Sequence, residues 1–567
     1  MFYMKLRYCN NIVVRRRGLI LLVVLVMVAL LALLAASYTF MVSAHLKTVI
    51  AQTDEFQARM AAEAGVQRAI VTLRETPGDV DSWFDNPDAY HAALVLGQEG
   101  DVGSATFQQR SDARTYDASA KPAWRYTLYA PNFDDPKQTR YGITDECSRL
   151  DLNVATDQQL FQLFLQVIPP NSDQFQVAPI DDLVHSLLDW RSPGNKARPG
   201  GAKDDYYEAL DPPYRAKSAP FSTVEELLLV RGFTAWVVFG EDYNQNGLLD
   251  PNEDDGDTSF PPDNGDGKLF RGVAPYLTVW SQDMDTTGTN SPRVNLNMQD
   301  LDKLQSRLQE AQISGDLINY IIGVRSGGAR FNSVMNLIPA PPPPEPAGNA
   351  SDSQQNQATS QATTQASGLG ATSQPDNGNA GGGRGGLTDQ NGANGRSENQ
   401  GAGNVPTYRN LTDVEPPGTY DDLPVILDRL TVNPSPFFQG RINVSTAPRE
   451  VLATIEGISP AEVDAMVAAR KELRSEDKST PAWLLTQGVL DENKFRQILP
   501  RITTKASVYR VESVGYADHI GVISRIMMVI QMRGPIPQVL YYRNLDSLGV
   551  AYNPYGEERR ALANRSK

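Results

Sequence analysis

Apolar residues in this chain follow one pattern at the N-terminus and others further along. From Leu19 to Val42, twenty-four residues run without a charge, a proline or a glycine. Wound as a helix, this stretch is roughly 36 Å long, enough to cross the apolar core of a bilayer with some tilt. Beyond it, apolar residues recur at three, four or about seven positions, at Leu46, Ile50, Phe56, Met60, Val66, Ile70 and Leu73, until Thr76-Pro77-Gly78 supplies a stop. Gly65 is the only interior breaker. The spacing predicts one continuous helix, membrane-embedded over 19–42 and amphipathic over 43–76. Lys5, Arg7 and the Arg15-Arg16-Arg17 triplet precede the apolar run, which places the N-terminus in the cytoplasm and the rest outside after a single crossing. A secretory signal peptide would have a shorter apolar region followed by a small-x-small cleavage site.

Further on, the period shortens to two. SATFQQR (104–110) and WRYTLYAPN (124–132) alternate as strands do, and Val508 to Tyr516 and Ile520 to Met532 read as a hairpin turning at Ala517 to His519. One five-residue element occurs three times: Arg149-Leu-Asp151-Leu-Asn153, Arg293-Val-Asn295-Leu-Asn297 and Arg441-Ile-Asn443-Val-Ser445. Each copy reads as a short strand running into a helix, with its last Asn or Ser available to cap that helix. After the third copy, APREVLATIEGISPAEVDAMVAAR forms two short helices around Gly457 and resembles a helix-hairpin-helix unit, as does PFSTVEELLLVRGFT around Gly232. Strands beside helical units give an α+β fold class.

Composition then marks a break. Between Pro339 and Pro406 a proline run gives way to Gln, Ser, Asn, Ala, Thr and Gly, too few apolar residues to offset the entropy of ordering. This segment is expected to be a disordered linker or insertion. The net charge of -15 argues against a partner made of nucleic acid, because phosphate contacts need clustered Lys and Arg. Two cysteines, Cys9 and Cys147, exclude a disulfide framework. The four histidines, His45, His91, His185 and His519, are too dispersed for a zinc site or a catalytic triad, so neither a catalytic constellation nor an enzyme is expected.

One segment carries sharper chemistry. Asp242-Tyr-Asn244-Gln-Asn246-Gly247-Leu248-Leu249-Asp250-Pro-Asn-Glu253 fits the calcium loop pattern D-x-[DN]-x-[DN]-G-x5-E at every fixed position. Calcium takes six to eight hard oxygens, which alternate residues of a curled loop can supply. The expected ligands are the side chains of Asp242, Asn244 and Asn246, the carbonyl of Leu248, Asp250 directly or through water, and a bidentate Glu253. Gly247 allows the turn, and Leu249 is expected to point inward. The role expected for Ca2+ is structural. Asp263-Asn264-Gly265-Asp266-Gly267 is a possible second, partial site.

The N-terminal residues carry a family resemblance. A basic leader ending in Gly18, an apolar run starting at Leu19 and an amphipathic extension resemble a type IV prepilin. That resemblance implies cleavage between Gly18 and Leu19 by a prepilin peptidase, although Leu stands where Phe or Met is usual. At the fifth mature position, where most pilins carry Glu, this chain has Val23. A carboxylate in lipid is costly unless paired, and in pilins it is thought to meet the terminal amine of the subunit above. Its absence resembles the K-type minor pseudopilin of the type II secretion system. The stretch from Arg149 through DDLVHSLLDWRSPG, GAKDDYYEALDPPYRAKSAPF and VEELLLVRG is similar to that family's large helical domain. Pseudopilins of this system are known for calcium-dependent folding, which the resemblance makes relevant to the loop at 242–253.

The resulting layout is a leader at 1–18, the transmembrane helix 19–42, its continuation 43–76, and a strand-rich region 77–156. A large helical domain with the calcium loop at 157–275 follows, then a second repeat at 276–338, the linker 339–406, a third repeat with the helix-hairpin-helix-like unit at 407–506, a β-hairpin at 507–534, and a tail at 535–567. The resemblance implies an inner-membrane protein with a periplasmic head, placed at the pseudopilus tip with I-like, J-like and H-like minor pseudopilins as partners. There it would start assembly, meet the secretin or cargo, and support export of folded proteins across the outer membrane. The alternative is a membrane-anchored helix-hairpin-helix protein for DNA binding or uptake, which needs a basic face that LATIEGISPAEVDAMVAAR does not offer.

Overall fold

The computed structural model describes residues 18–76, 78–96, 123–135, 137–170, 177–256, 258–340, 407–411, 413–517, 521–533, 536–549 and 551. The expected leader and linker lie almost wholly outside these residues, as do the strand expected at 104–110 and the tail beyond 551; the start of the tail forms a strand and a short turn of helix. Ile520 and the middle of the turn expected at 517–519 also lie outside them.

The apolar N-terminal run and its continuation form a single helix, α1 (Gly18–Glu75), 58 residues long. Among the described residues it is the one helix long and apolar enough to cross a membrane. It is exposed from Leu21 to Thr53, and packing begins only at Ala58, with Ala61, Ala62, Val66, Ala69, Ile70 and Leu73 buried. The amphipathic reading therefore holds for its last third alone. Leu46, Ile50, Phe56 and Met60 are exposed, and the buried face is built largely from alanines that an apolar spacing count passes over.

The strands, in chain order, are β1 (Ala93–Leu96), β2 (Trp124–Tyr129), β3 (Thr144–Asp145), β4 (Leu150–Asp151), β5 (Leu277–Thr278), β6 (Gln282–Met284) and β7 (Val294–Asn295). They continue as β8 (Leu430–Thr431), β9 (Phe437–Gln439), β10 (Ile442–Asn443), β11 (Ile502–Thr503), β12 (Val508–Ala517), β13 (Ile523–Gln531) and β14 (Gln538–Asn544). The main sheet is antiparallel in the order β1-β2-β12-β13-β14, with β3 also paired to β12. The predicted hairpin is β12 and β13, in register from Val508↔Gln531 to Tyr516↔Ile523.

The buried end of α1 lies across β2, β12 and β13. Contact is closest at Gly515, where a Cβ would stand 2.0 Å from the carbonyl oxygen of Ala58. At Gly65 of α1 a Cβ would stand 2.5 Å from the hydroxyl of Ser513. Two glycines and a row of alanines thus let a helix and a sheet approach almost backbone to backbone.

Between β3 and β12 the chain leaves this sheet and builds three related units around one hydrophobic core. Each unit opens on one copy of the five-residue element and closes on a two-residue strand lying parallel to it: β4 with β5, β7 with β8, and β10 with β11. The same bonds recur in all three. The amides of Leu152, Leu296 and Val444 donate to the carbonyls of Thr278, Thr431 and Thr503 at 2.8, 2.9 and 3.0 Å. The threonine hydroxyls accept from the amides two residues on, at Trp280, Asn433 and Lys505. An arginine at or near the end of each unit's second helix, Arg191, Arg325 and Arg470, donates to carbonyls at the start of its own unit.

The capping role expected for the last residue of the element is not found. Thr156 and Asp300 cap the first helices of units one and two, and Pro448 precedes the short helix of unit three without a side-chain cap. Asn153 and Asn297 instead clamp distant backbone, each accepting from and donating to one residue, Phe221 or Phe331, at 2.7 to 3.1 Å. Ser445, with a single hydroxyl, reaches only the carbonyl of Lys478. Two facing amide bonds hold a second segment better than a helix cap would, because both backbone groups are satisfied at once.

Replacing Asn297 with Ala should leave the N–H and C=O of Phe331 without this partner and cost about 1–3 kcal/mol. Gly515→Val should cost about 2–3 kcal/mol by overpacking against α1. Thermal melting of the full chain in detergent checks both, and an unchanged midpoint for either would contradict the corresponding contact.

Candidate metal centre

The segment 242–253 follows a short helix, Ala235–Phe239, and ends in a three-residue turn of helix, Pro251–Glu253. It curls as its alternating polar residues require. Asp242 accepts from the amides of Asn246 and Gly247 at 2.9 Å each, while Asn244 Oδ1 and Asn246 Oδ1 accept from the amides two residues ahead. The side-chain amides of Asn244 and Asn246 both donate to Asp250 Oδ2, at 2.9 and 3.0 Å. Glu253 closes the ring by accepting from the amides of Tyr243 and Asp250. Asp242, Asn246 and Glu253 are buried, and Asn244, Leu248 and Asp250 are half-buried. Gly247 has φ +71°, and a Cβ there would meet Pro131 at 2.9 Å, so glycine is required on both counts.

Leu248, not Leu249, packs inward, against the cluster of Tyr129, Val514 and Tyr516. Two arginines that no local pattern could reveal fix the loop from behind. Arg525, on β13, donates to the carbonyls of Asn244 and Gln245 at 2.5 and 2.6 Å, and Arg271 donates to that of Gly247 at 2.8 Å. The loop is thereby clamped to the main sheet, a contact that spans 280 residues of chain.

The electrostatics fit a cation. Burial pushes the Asp242 carboxyl up to about 6, against the pull of the Gly247 and Asn246 amides. Glu253 is pushed up to about 8, by burial first and by the charge of Asp242 second. Neighbouring Glu241 rises to about 7 through burial. Two buried carboxylates, the charge of Asp242 raising the proton affinity of Glu253, set among oxygen donors with no His or Cys, are the donor chemistry of a hard divalent cation. Among the described residues no three His, Cys, Asp or Glu side chains converge on one point, so a cation held here would depend also on the two asparagines and the Leu248 carbonyl. The 263–267 segment is tied up internally, with Asp263 accepting from the amides of Asp255, Gly256 and Gly265.

Gly18 opens α1. The helix-hairpin-helix-like segment has helices at Arg449–Leu452 and Pro460–Glu472 about Gly457, φ +93°. Three of its acidic groups are paired with basic ones: Glu456 with Arg501, Glu462 with Lys494, and Asp464 with Arg449.

Residues 154–238, the helical part of the first unit, match the family described as Type II secretion system (T2SS), protein K. Over this segment the chain is similar to protein K of the type II secretion system. A solved structure, the GspK-GspI-GspJ complex of the enterotoxigenic Escherichia coli Type 2 Secretion System, aligns over 88% of this chain and 99% of its own, at 11% identity and a TM-score of 0.35. That likeness is too distant to place residues by. No curated protein matches. The matched segment ends just before the 242–253 loop.

A carboxyl whose folded pKa is raised keeps its proton in the fold after the unfolded chain has lost it. Without metal, stability should therefore be full below about pH 4.3 and decline as pH rises towards the Glu253 value of about 8. Calcium must displace those protons, so calcium titrations of the full chain should give tighter binding at pH 8 than at pH 6. Glu253→Gln should abolish the calcium-dependent rise in melting midpoint. Equal calcium response in wild type and Glu253→Gln would remove the site.

Proposed function

We propose that this chain caps the tip of a type II secretion pseudopilus, a structural role rather than a catalytic one. The observation that carries this reading is the arrangement of the head: three units inserted between β3 and β12 beside a sheet on α1. Such a head is far bulkier than the helix that bears it. A subunit inside a helical filament must leave room for the next subunit above, and a broad head favours the end position. Val23 supports the same placement, because a terminal subunit has no amine above it for a carboxylate to meet.

In this reading the chain is cut between Gly18 and Leu19 by a prepilin peptidase and sits in the inner membrane with a periplasmic head. The exposed face of α1 joins I-like, J-like and H-like minor pseudopilins, the assembly starts the pseudopilus, and the head meets the secretin or cargo during export. The 242–253 loop binds Ca2+ through Asp242, Asn244, Asn246, Leu248, Asp250 and Glu253, and holds the first unit against the sheet.

Co-expressed with I-like and J-like partners and extracted in detergent, the full chain should elute with both as one complex, its intact mass starting at Leu19. Elution alone together with retention on duplex DNA would overturn the reading in favour of a DNA-binding anchor. Val23→Glu should reduce recovery of the complex, since an unpaired carboxylate in lipid costs about 2.5–3.5 kcal/mol.

A further inference from the structure

The arginine that opens each of the three units is used in two different ways. In unit two, Arg293 donates through Nε to the carbonyl of Asp428 at 3.0 Å and pairs with Asp285 at 3.3 Å. In unit three, Arg441 donates through Nε to the carbonyl of Pro500 at 3.2 Å and pairs with Asp283 at 3.6 Å. Both carbonyls lie two residues before the closing strand of their unit. The corresponding carbonyl in unit one belongs to Pro275. Arg149 does not take it. It is buried, 3% exposed, and its Nε and Nη1 have no hydrogen-bond partner among the described residues.

Arg149 and Pro275 instead form part of the wall of a cavity of about 70 Å³ between the first unit and the main sheet. Five arginines and three carboxylates line this cavity. Three of the other arginines have carboxylate partners: Arg510 with Glu146 at 2.8 Å, Arg543 with Glu225 at 2.9 Å, and Arg525 with Glu512 at 3.5 Å. Arg271 is spent on the carbonyls of Asn132 and Gly247. Even with Glu146 counted, the arginines lining the cavity outnumber the carboxylates by one; Asp145 and Glu512 also draw on Arg149, but no carboxylate hydrogen-bonds its Nε or Nη1. Arg149 stays charged at neutral pH, although burial and then Arg510 push it down to about 10.

Carboxylates near Arg149 make no hydrogen bond to its Nε or Nη1, and a buried donor without a partner calls for an ion or a water. Water would satisfy the N–H groups but leave the excess charge. We propose that this cavity is an anion site, in which the Arg149 guanidinium holds one small monovalent inorganic ion of chloride size. The volume admits such an ion with a water beside it. The ion would complete in unit one the pairing that Asp285 and Asp283 supply in units two and three.

The test compares melting midpoints of the full chain in detergent, in sodium chloride and in sodium gluconate at matched ionic strength and constant calcium. Chloride should raise the midpoint saturably by about 2 °C. Arg149→Met should lose that increment, while Arg293→Met, whose arginine has its own carboxylate, should keep it whatever its own stability. Should Arg149→Met fail to fold, wild-type crystals soaked in sodium bromide decide, with an anomalous peak within hydrogen-bond reach of Arg149. An equal midpoint in both salts, an increment that survives Arg149→Met, or a cavity that holds water alone under bromide would each overturn the proposal.

Discussion

The architecture depends on one buried ion pair where the inserted units leave and rejoin the sheet. Glu146, fully buried just after β3, meets Arg510 of β12 at 2.8 Å and accepts from the hydroxyl of Thr278 on β5. Burial alone would push this carboxyl up, but Arg510 and Arg149 hold it below its usual range. These contacts join the first strand of the exit, the last strand of the return and the closing strand of unit one. Breaking one partner of such a pair strands the other in the interior, so the junction tolerates little movement. Unit one is tied to the main sheet through it.

Around that junction, the three units solve one problem three times. A two-residue parallel strand pair is too short to stand alone, and each is secured by side chains that act on backbone: an Asp or Asn turned back on its own strand, a threonine hydroxyl on the closing strand, and an arginine reaching across from a helix. Units one and two add the asparagine clamp to Phe221 or Phe331, and the smaller third unit makes do with a serine. The 242–253 loop belongs to the same logic, being held to the sheet by arginine donors on carbonyl oxygens rather than by apolar contact alone.

Much of this was legible in the sequence where a pattern was long or chemically marked. The helix α1, the β12–β13 hairpin and the 242–253 curl all followed from apolar period or residue spacing. The opening strands of the three units were visible because their Arg and Asn mark them. Their closing partners, Leu277-Thr278, Leu430-Thr431 and Ile502-Thr503, were not, since two residues carry no period. The buried face of α1 was misjudged because alanine contributes little to a hydrophobic count yet is what a close helix-to-sheet contact demands. The fates of Asn153 and Asn297 were hidden for another reason: a cap is a local bond, whereas these side chains chose partners 68 and 34 residues away. Arg525 behind the loop lay beyond any local reading altogether.

The late start of packing along α1 also has a mechanical consequence. If the bilayer core covers the helix to about Val42, some sixteen residues, or about 24 Å of bare helix, separate it from the first buried residue at Ala58. That length is a lever arm. A tilt of about 20° in the membrane, ordinary for a single span, would carry the base of the head about 8 Å sideways without changing any contact within it. Orientation of the head is thus set by whatever grips the bare stretch, and a neighbouring helix laid along it would convert a swinging head into a fixed one.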